Sequence, residues 1–266
     1  MNISLIGTGL LGAAVCERLI AQGFRPSVWN RTASKSAALA NLGASLASSA
    51  ADALQASEIT LLFLADRAAI EAVLLHADTC SSLQGRTIIN MSTISPADSL
   101  ALAAALHEHG ADYAECPVLG SLPEARSGTL ILMFGGSSAQ FDAFVPLLRT
   151  LGTAPRHIGS VGQAAALKLA MNQLIAAETA AFAMSLALVQ AHGLAVDDFM
   201  QLLRNSALYA PTFDKKLDRM QSGDFSRPNF PLNHLIKDVR LFIASAGEQN
   251  IDTRPLVALE TVLTDI

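Results

Sequence analysis

Residues 3–21 constrain this chain more than any other stretch. Ile3-Ser4-Leu5-Ile6 has the pattern of a short buried strand, and it runs without a linker into Gly7-Thr8-Gly9-Leu10-Leu11-Gly12 and then into the helical run 13–21. A strand, a GxGxxG turn and a helix in that order form a dinucleotide-binding crossover. Gly7 permits the tight turn, Gly9 lets backbone approach a pyrophosphate, and Gly12 lets helix pack on strand. Amides at the helix start face the phosphates, so all six residues, Gly7, Thr8, Gly9, Leu10, Leu11 and Gly12, are expected to border the cofactor.

The second strand bears on which dinucleotide is held. Ser27-Val28-Trp29 ends in Asn30-Arg31-Thr32, where an NAD-specific site would carry Asp or Glu for the ribose 2′-hydroxyl. No carboxylate stands there. Arg31 offers a permanently charged planar fork suited to a 2′-phosphate, and Asn30 and Thr32 can add hydrogen bonds, so NADP(H) is expected over NAD(H).

Apolar strand candidates continue at 59–64, 87–90, 111–115, 130–134 and 154–158, most of them separated by Ala/Leu-rich helical stretches such as 97–106. That alternation predicts an α/β fold with a doubly wound, mostly parallel Rossmann-type domain over residues 1–162. From Gly162 onward the strand signals stop. An all-α domain is expected over 163–266, opening with a helix over 163–192 closed by Gly193 and continuing with helices at 196–205, 211–220, 232–249 and 255–264. The long helix would join the domains, with a site in the cleft between them.

Hydrophobic residues are 51% of the chain and charged residues 15%, a balance that excludes general disorder and leaves apolar surface for a homo-oligomer, a dimer or tetramer. The net charge of -5 and the lack of basic runs point away from nucleic acid. Cys16, Cys80 and Cys116 lack metal-ligand spacing and fit a reducing compartment. With a strand expected from residue 3, no leader is expected and the expected setting is cytoplasmic. Glu178 and Gln190 interrupt the most apolar helix, so no membrane span is expected.

By spacing alone that helix admits two readings, a lysine snorkelling to water from an amphipathic face, which is the usual state of such residues, and a catalytic pair. Lys168 and Asn172 are four residues apart and project from one face, where an ammonium can exchange a proton with a carbonyl or alcohol oxygen while the amide orients it. His107 and His109 flank Glu108 but alternate in direction, so no metal site is predicted there.

Four stretches, GTGLLG at 7–12, ECPVLGSLPEARSGTL at 115–130, GQAAALKLAMN at 162–172 and FPLNHLIKDVRL at 230–241, resemble the beta-hydroxyacid dehydrogenases. That family includes 3-hydroxyisobutyrate dehydrogenases and the glyoxylate and succinic semialdehyde reductases, and the resemblance implies a 6-phosphogluconate dehydrogenase-like protein. The resemblance implies that Lys168 is the catalytic lysine and that Asn172 helps hold the substrate. It also implies that Thr93 lies beside the nicotinamide, and that Leu64, Ala65 and Asp66 form a loop bordering the cofactor. Val118, Leu119, Gly120 and Ser121 would bind a substrate carboxylate, and Lys237 and Asp238 would reach back to the site. Asp66 and Asp238 are equally open to a purely structural role. Three departures are visible: Leu119 replaces a common Ser, Ala65 a frequent Pro, and the sequence stops at Ile266, ahead of the usual family end.

The expected activity is an NADP(H)-dependent interconversion of a small aldehyde acid and its hydroxy acid. One rival is an imine reductase, which by the same resemblance commonly lacks lysine at the proton-donor position. The other is a non-catalytic NADP(H)-binding sensor.

Overall fold

A computed structural model describes residues 2–226, 228 and 230–265. Among them, the strands β1 (Ile3–Ile6), β2 (Ser27–Trp29), β3 (Ser45–Leu46), β4 (Ile59–Leu62), β5 (Thr87–Asn90), β6 (Asp112–Glu115), β7 (Val118–Leu119), β8 (Ile131–Gly135) and β9 (Arg156–Gly159) make one sheet. Its order is β3-β2-β1-β4-β5-β6-β8-β7, with β9 paired to β8. From β3 to β6 every pairing is parallel, whereas β8 runs antiparallel to both β6 and β7. The expected strands are all present, those at 3–6, 27–29 and 87–90 with the expected bounds and the others with shifted ends. β3 and β7 were not anticipated, because two residues are too few to show a period.

The helices of this unit are α1 (Leu10–Ala21), α2 (Ser34–Ala40), α3 (Ala50–Gln55), α4 (Arg67–Leu74), α5 (Ala77–Cys80), α6 (Pro96–Glu108), α7 (Leu122–Ser127) and α8 (Ser138–Leu151). They leave β1 and β4 buried at every position, as parallel strands covered on both faces must be. Leu5, Leu61 and Ile89 pack with Val15, Leu19 and Leu148 on one face, while Ile6, Leu62 and Ile88 pack with Leu54, Leu74 and Leu102 on the other. Each such side chain contributes roughly 1.5–3 kcal/mol of burial.

Register determines what this sheet can present. Trp29, Ile6, Leu62, Asn90 and Glu115 lie side by side in one row, and Gly135 of β8 closes it opposite Glu115. The row is the carboxyl end of the parallel strands, the edge at which open α/β sheets bind ligands.

After β9 come α9 (Gln163–Ala191), α10 (Val196–Arg204), α11 (Pro211–Ser222), α12 (Leu232–Glu248) and α13 (Arg254–Thr264). The chain divides by packing into residues 1–168 and 169–266, so the division falls inside α9 and not at residue 162. The reason is local: Ala164 and Ala165 are buried, and the amides of Gly162 and Ala165 are bonded to a side chain of β6. At its other end α9 stops as expected, with Gly193 at φ 65° and Leu194 N–H donating to the Val189 carbonyl at 3.1 Å.

In the second unit Ala176 packs with Leu235, Val239, Leu256 and Leu263, and Phe182 with Leu186, Met200 and Phe213. The Phe182 and Phe213 rings stack with centroids 4.8 Å apart. By length and composition α9 is apolar enough to cross a membrane, contrary to the expectation that Glu178 and Gln190 would break it, because Lys168 and Glu178 are the only charged side chains among its 29 mostly apolar residues. Only 17% of its most apolar window is buried within the chain.

Candidate active site

The glycine turn is held by backbone. Gly7 sits at φ 100° with its N–H on the Trp29 carbonyl at 2.9 Å, and a Cβ there would lie 2.2 Å from the Phe63 carbonyl oxygen. At Gly12 a Cβ would fall 2.0 Å from the Gly7 carbonyl oxygen, so only glycine lets α1 seat against the turn. Gly9 differs, since a Cβ there would meet nothing within 4 Å. It starts α1 with no side-chain cap and no acid in the first turn. Among the described residues nothing lies within 4 Å of that Cβ position, which leaves room beside the helix N-terminus for a pyrophosphate. These residues fit a dinucleotide.

Asn30 Oδ1 accepts the Thr8 N–H at 3.0 Å and its Nδ2 donates one hydrogen to the Thr32 carbonyl at 3.0 Å, so the amide braces the turn. Thr8 Oγ1 is hydrogen-bonded to Ser36 Oγ at 2.9 Å, which ties the turn to α2. Arg31 and Thr32 are exposed at the end of β2.

The loops after β4 and β5 are joined to one another. Leu64 N–H donates to Ser92 Oγ at 2.9 Å, and Ser92 N–H to Asn90 Oδ1 at 3.0 Å. Ala65 is exposed and Thr93 half-buried. Asp66 caps α4, its Oδ1 accepting the Ala69 N–H at 2.8 Å, which gives the carboxylate a structural function. Val118 and Leu119 form β7, pairing with Leu132 and Ile131. Gly120 follows at φ 123°, and Ser121 begins α7 with its N–H on Glu124 Oε2 at 2.8 Å. A backbone turn thus stands where the carboxylate-binding loop was expected.

On α9 Lys168 is 8% exposed and Asn172 2%, one helical turn apart and both withdrawn from bulk water. Asn172 Nδ2 donates to Asp238 Oδ2 at 2.6 Å, and Lys237 Nζ lies 3.0 Å from Asp238 Oδ1. Both oxygens of Asp238 are therefore engaged within the chain. The carboxylate, 3% exposed, orients the amide and neutralises the neighbouring ammonium. Sequence spacing carries no trace of this pairing, because the partners are 66 residues apart.

Neither buried thiol is poised for chemistry. Burial, with Glu17 adding to it, pushes Cys16 up to about 12, and burial beside Glu115 raises Cys116. Among the described residues no group of three His, Cys, Asp or Glu could hold a metal ion.

Comparison with known proteins agrees with this geometry. Residues 2–187 match the NAD binding domain of 6-phosphogluconate dehydrogenase, and residues 162–264 match the NAD-binding region of NADP-dependent 3-hydroxyisobutyrate dehydrogenase. Glyoxylate/succinic semialdehyde reductase 1 of Arabidopsis thaliana is 33% identical over 97% of this chain and 89% of its own length. The 3-hydroxyisobutyrate dehydrogenase of Mycobacterium tuberculosis, solved with L-serine, shares the fold at TM-score 0.88 and 19% identity, covering 99% of this chain and 92% of its own. An imine reductase of Myxococcus stipitatus solved with NADP+ follows at TM-score 0.74 and 25% identity, covering 100% and 93%. With a nucleotide cradle at one end of the sheet, a buried lysine and amide on the long helix, and matches running the length of the sequence, the chain belongs to the beta-hydroxyacid dehydrogenase family.

Proposed function

We propose that the protein is an NADP(H)-dependent reductase that interconverts a small aldehyde acid and the corresponding hydroxy acid, with Lys168 exchanging the proton. The observation that carries this reading is a lysine 8% exposed and one turn from an amide held by Asp238. A lysine with only a solvated role would extend its ammonium to water. Bound nicotinamide supplies or accepts the hydride. In reduction Lys168 Nζ gives its proton to the carbonyl oxygen as negative charge develops there, and Asn172 orients that oxygen. In oxidation the same nitrogen takes the proton back. The loop from Val118 to Ser121 is assigned to the substrate by the family resemblance, and Leu119 there favours a larger or more apolar acid than a Ser would. The similarity to a glyoxylate/succinic semialdehyde reductase supports the same substrate class.

Preference for the 2′-phosphate rests on Arg31, exposed at the end of a strand that lacks the carboxylate of an NAD site. We assign the uncovered stripe of Leu167, Met171, Leu174 and Leu188 to a second copy of the chain and not to lipid. A helix whose inner turns must hold Lys168 and Asn172 at a protein site is poorly placed in hydrocarbon. Sedimentation showing only a 27.9 kDa species would refute that assignment. The three free cysteines accord with a cytoplasmic setting.

The test is NADPH oxidation with glyoxylate and with succinic semialdehyde. Lys168→Ala is expected to lower kcat by roughly 10²–10⁴ while leaving NADPH binding unchanged. Near-normal turnover would remove the lysine from the reaction. Imine reduction is the second reading, and it rests only on the fold likeness to an imine reductase. Turnover of a cyclic imine, with none of either aldehyde acid, would establish it instead.

A further inference from the structure

Glu115 is the last residue of β6, is 2% exposed, and has no part in the reaction described above. Its Oε1 accepts two backbone amides of the α9 entrance, Gly162 N–H at 2.9 Å and Ala165 N–H at 2.9 Å. Its Oε2 accepts the hydroxyl of Ser99. Because that proton is spent on Glu115, the 2.9 Å contact between Ser99 and Tyr113 has Tyr113 as donor, and Asn90 Nδ2 donates in turn to Tyr113 OH at 3.1 Å. The chain of donors runs one way and ends on the carboxylate. At its other end Asn90 Oδ1 holds Ser92 N–H, and Ser92 Oγ holds Leu64 N–H. One hydrogen-bonded path thus links the loops after β4 and β5 to the first turn of α9.

Burying a carboxylate is costly unless its acceptor sites are met, and here they are met at the positive end of a 29-residue helix that has no acid of its own in its first turn. The position allows little play. A Cβ at Gly135, the residue opposite in β8, would lie 2.6 Å from Oε1, so β8 confines the carboxylate on that side. Lys168 follows Ala165 by about one turn, so the amides that Glu115 grips set the rotation and height of the turn carrying the ammonium.

We propose that Glu115 is a positioning residue that fixes the first turn of α9, and through it Lys168, against the carboxyl edge of the sheet. The inference rests on the reading of Lys168 as proton donor. Misplacing a reacting group by about 1 Å can lower a rate by up to ~10²-fold, with little effect on ligands held elsewhere.

The test is a double-mutant cycle on the full chain, with NADPH oxidation by glyoxylate and succinic semialdehyde as readout and NADPH affinity by fluorescence as the check on folding. Glu115→Ala is expected to lower kcat about 10- to 100-fold with NADPH Kd within about threefold of wild type. Glu115→Gln, which keeps an acceptor for both amides, should recover part of the loss. In a Lys168→Ala background, Glu115→Ala should change kcat by less than about threefold, since a residue acting through the lysine has nothing left to position. Should Glu115→Ala not bind NADPH, the same cycle is run with Glu115→Gln, whose smaller loss should likewise disappear without the lysine. Losses that multiply in the double variant would overturn the proposal, as would wild-type kcat in Glu115→Ala. A Lys168→Ala enzyme with normal turnover would overturn the proton-donor reading and this inference together, whereas a damaged Lys168→Ala beside an unimpaired Glu115→Ala would overturn this one alone.

Discussion

Substituting alanine at Gly9 and, separately, at Gly12 should divide the glycine turn into a part that binds and a part that folds. At Gly12 the added Cβ would lie 2.0 Å from the Gly7 carbonyl oxygen, where ordinary contact begins at 3.4 Å, and the obstacle is backbone that cannot rotate away. Helix α1 must then withdraw from the turn, at the upper end of the overpacking range, about 3 kcal/mol. For a unit of this size that corresponds to a fall in Tm of roughly 6–12 °C. At Gly9 the Cβ would meet nothing, and φ -66°, ψ -171° is extended backbone that alanine adopts. Loss of a good N-cap residue and the stiffer unfolded chain nearly cancel, so stability should stay within about 1 kcal/mol of wild type. The methyl would instead occupy the approach of the pyrophosphate. Losing one charge-assisted bond to the helix amides costs ~1.5–3 kcal/mol, which is roughly 10- to 150-fold in Kd. Thermal melts of the ligand-free proteins and fluorescence titrations with NADPH measure both quantities. Normal NADPH affinity in Gly9→Ala would refute the placement of the phosphates. An unchanged Tm in Gly12→Ala would refute the packing argument.

Arg31→Ala should weaken NADPH at least tenfold more than NADH, since losing one partner of a charge pair costs ~2–5 kcal/mol and only NADPH carries the extra phosphate; equal losses in parallel titrations would dismiss Arg31 as the discriminator. Thiol labelling at pH 8 should modify Cys80 first. Cys16, raised to about 12, is thiolate in only about one molecule in ten thousand at that pH, and Cys116 is likewise held protonated by burial, so both should label only after unfolding. Early labelling of either buried cysteine, located by peptide mass, would contradict the packing around α1 and β6.

What the amino-acid order determined by itself is whatever depends on neighbours in the chain. The Rossmann-type crossover was legible because strand, glycines and helix are contiguous, and the central strands because parallel strands buried on both faces are continuous apolar runs. Lys168 and Asn172 could be paired because helical spacing is local. Tertiary structure decided the rest. It turned the Asn30 amide onto Thr8 and Thr32, made Asp66 a helix cap, and extended the sheet with the two-residue strands β3 and β7. It also brought Asp238 to Asn172 across 66 residues and Glu115 to the start of α9 across 47 and 50. Such contacts have no period and no spacing to read. A buried polar group takes whichever partner the packed chain brings within reach, and that partner exists only once the fold has formed.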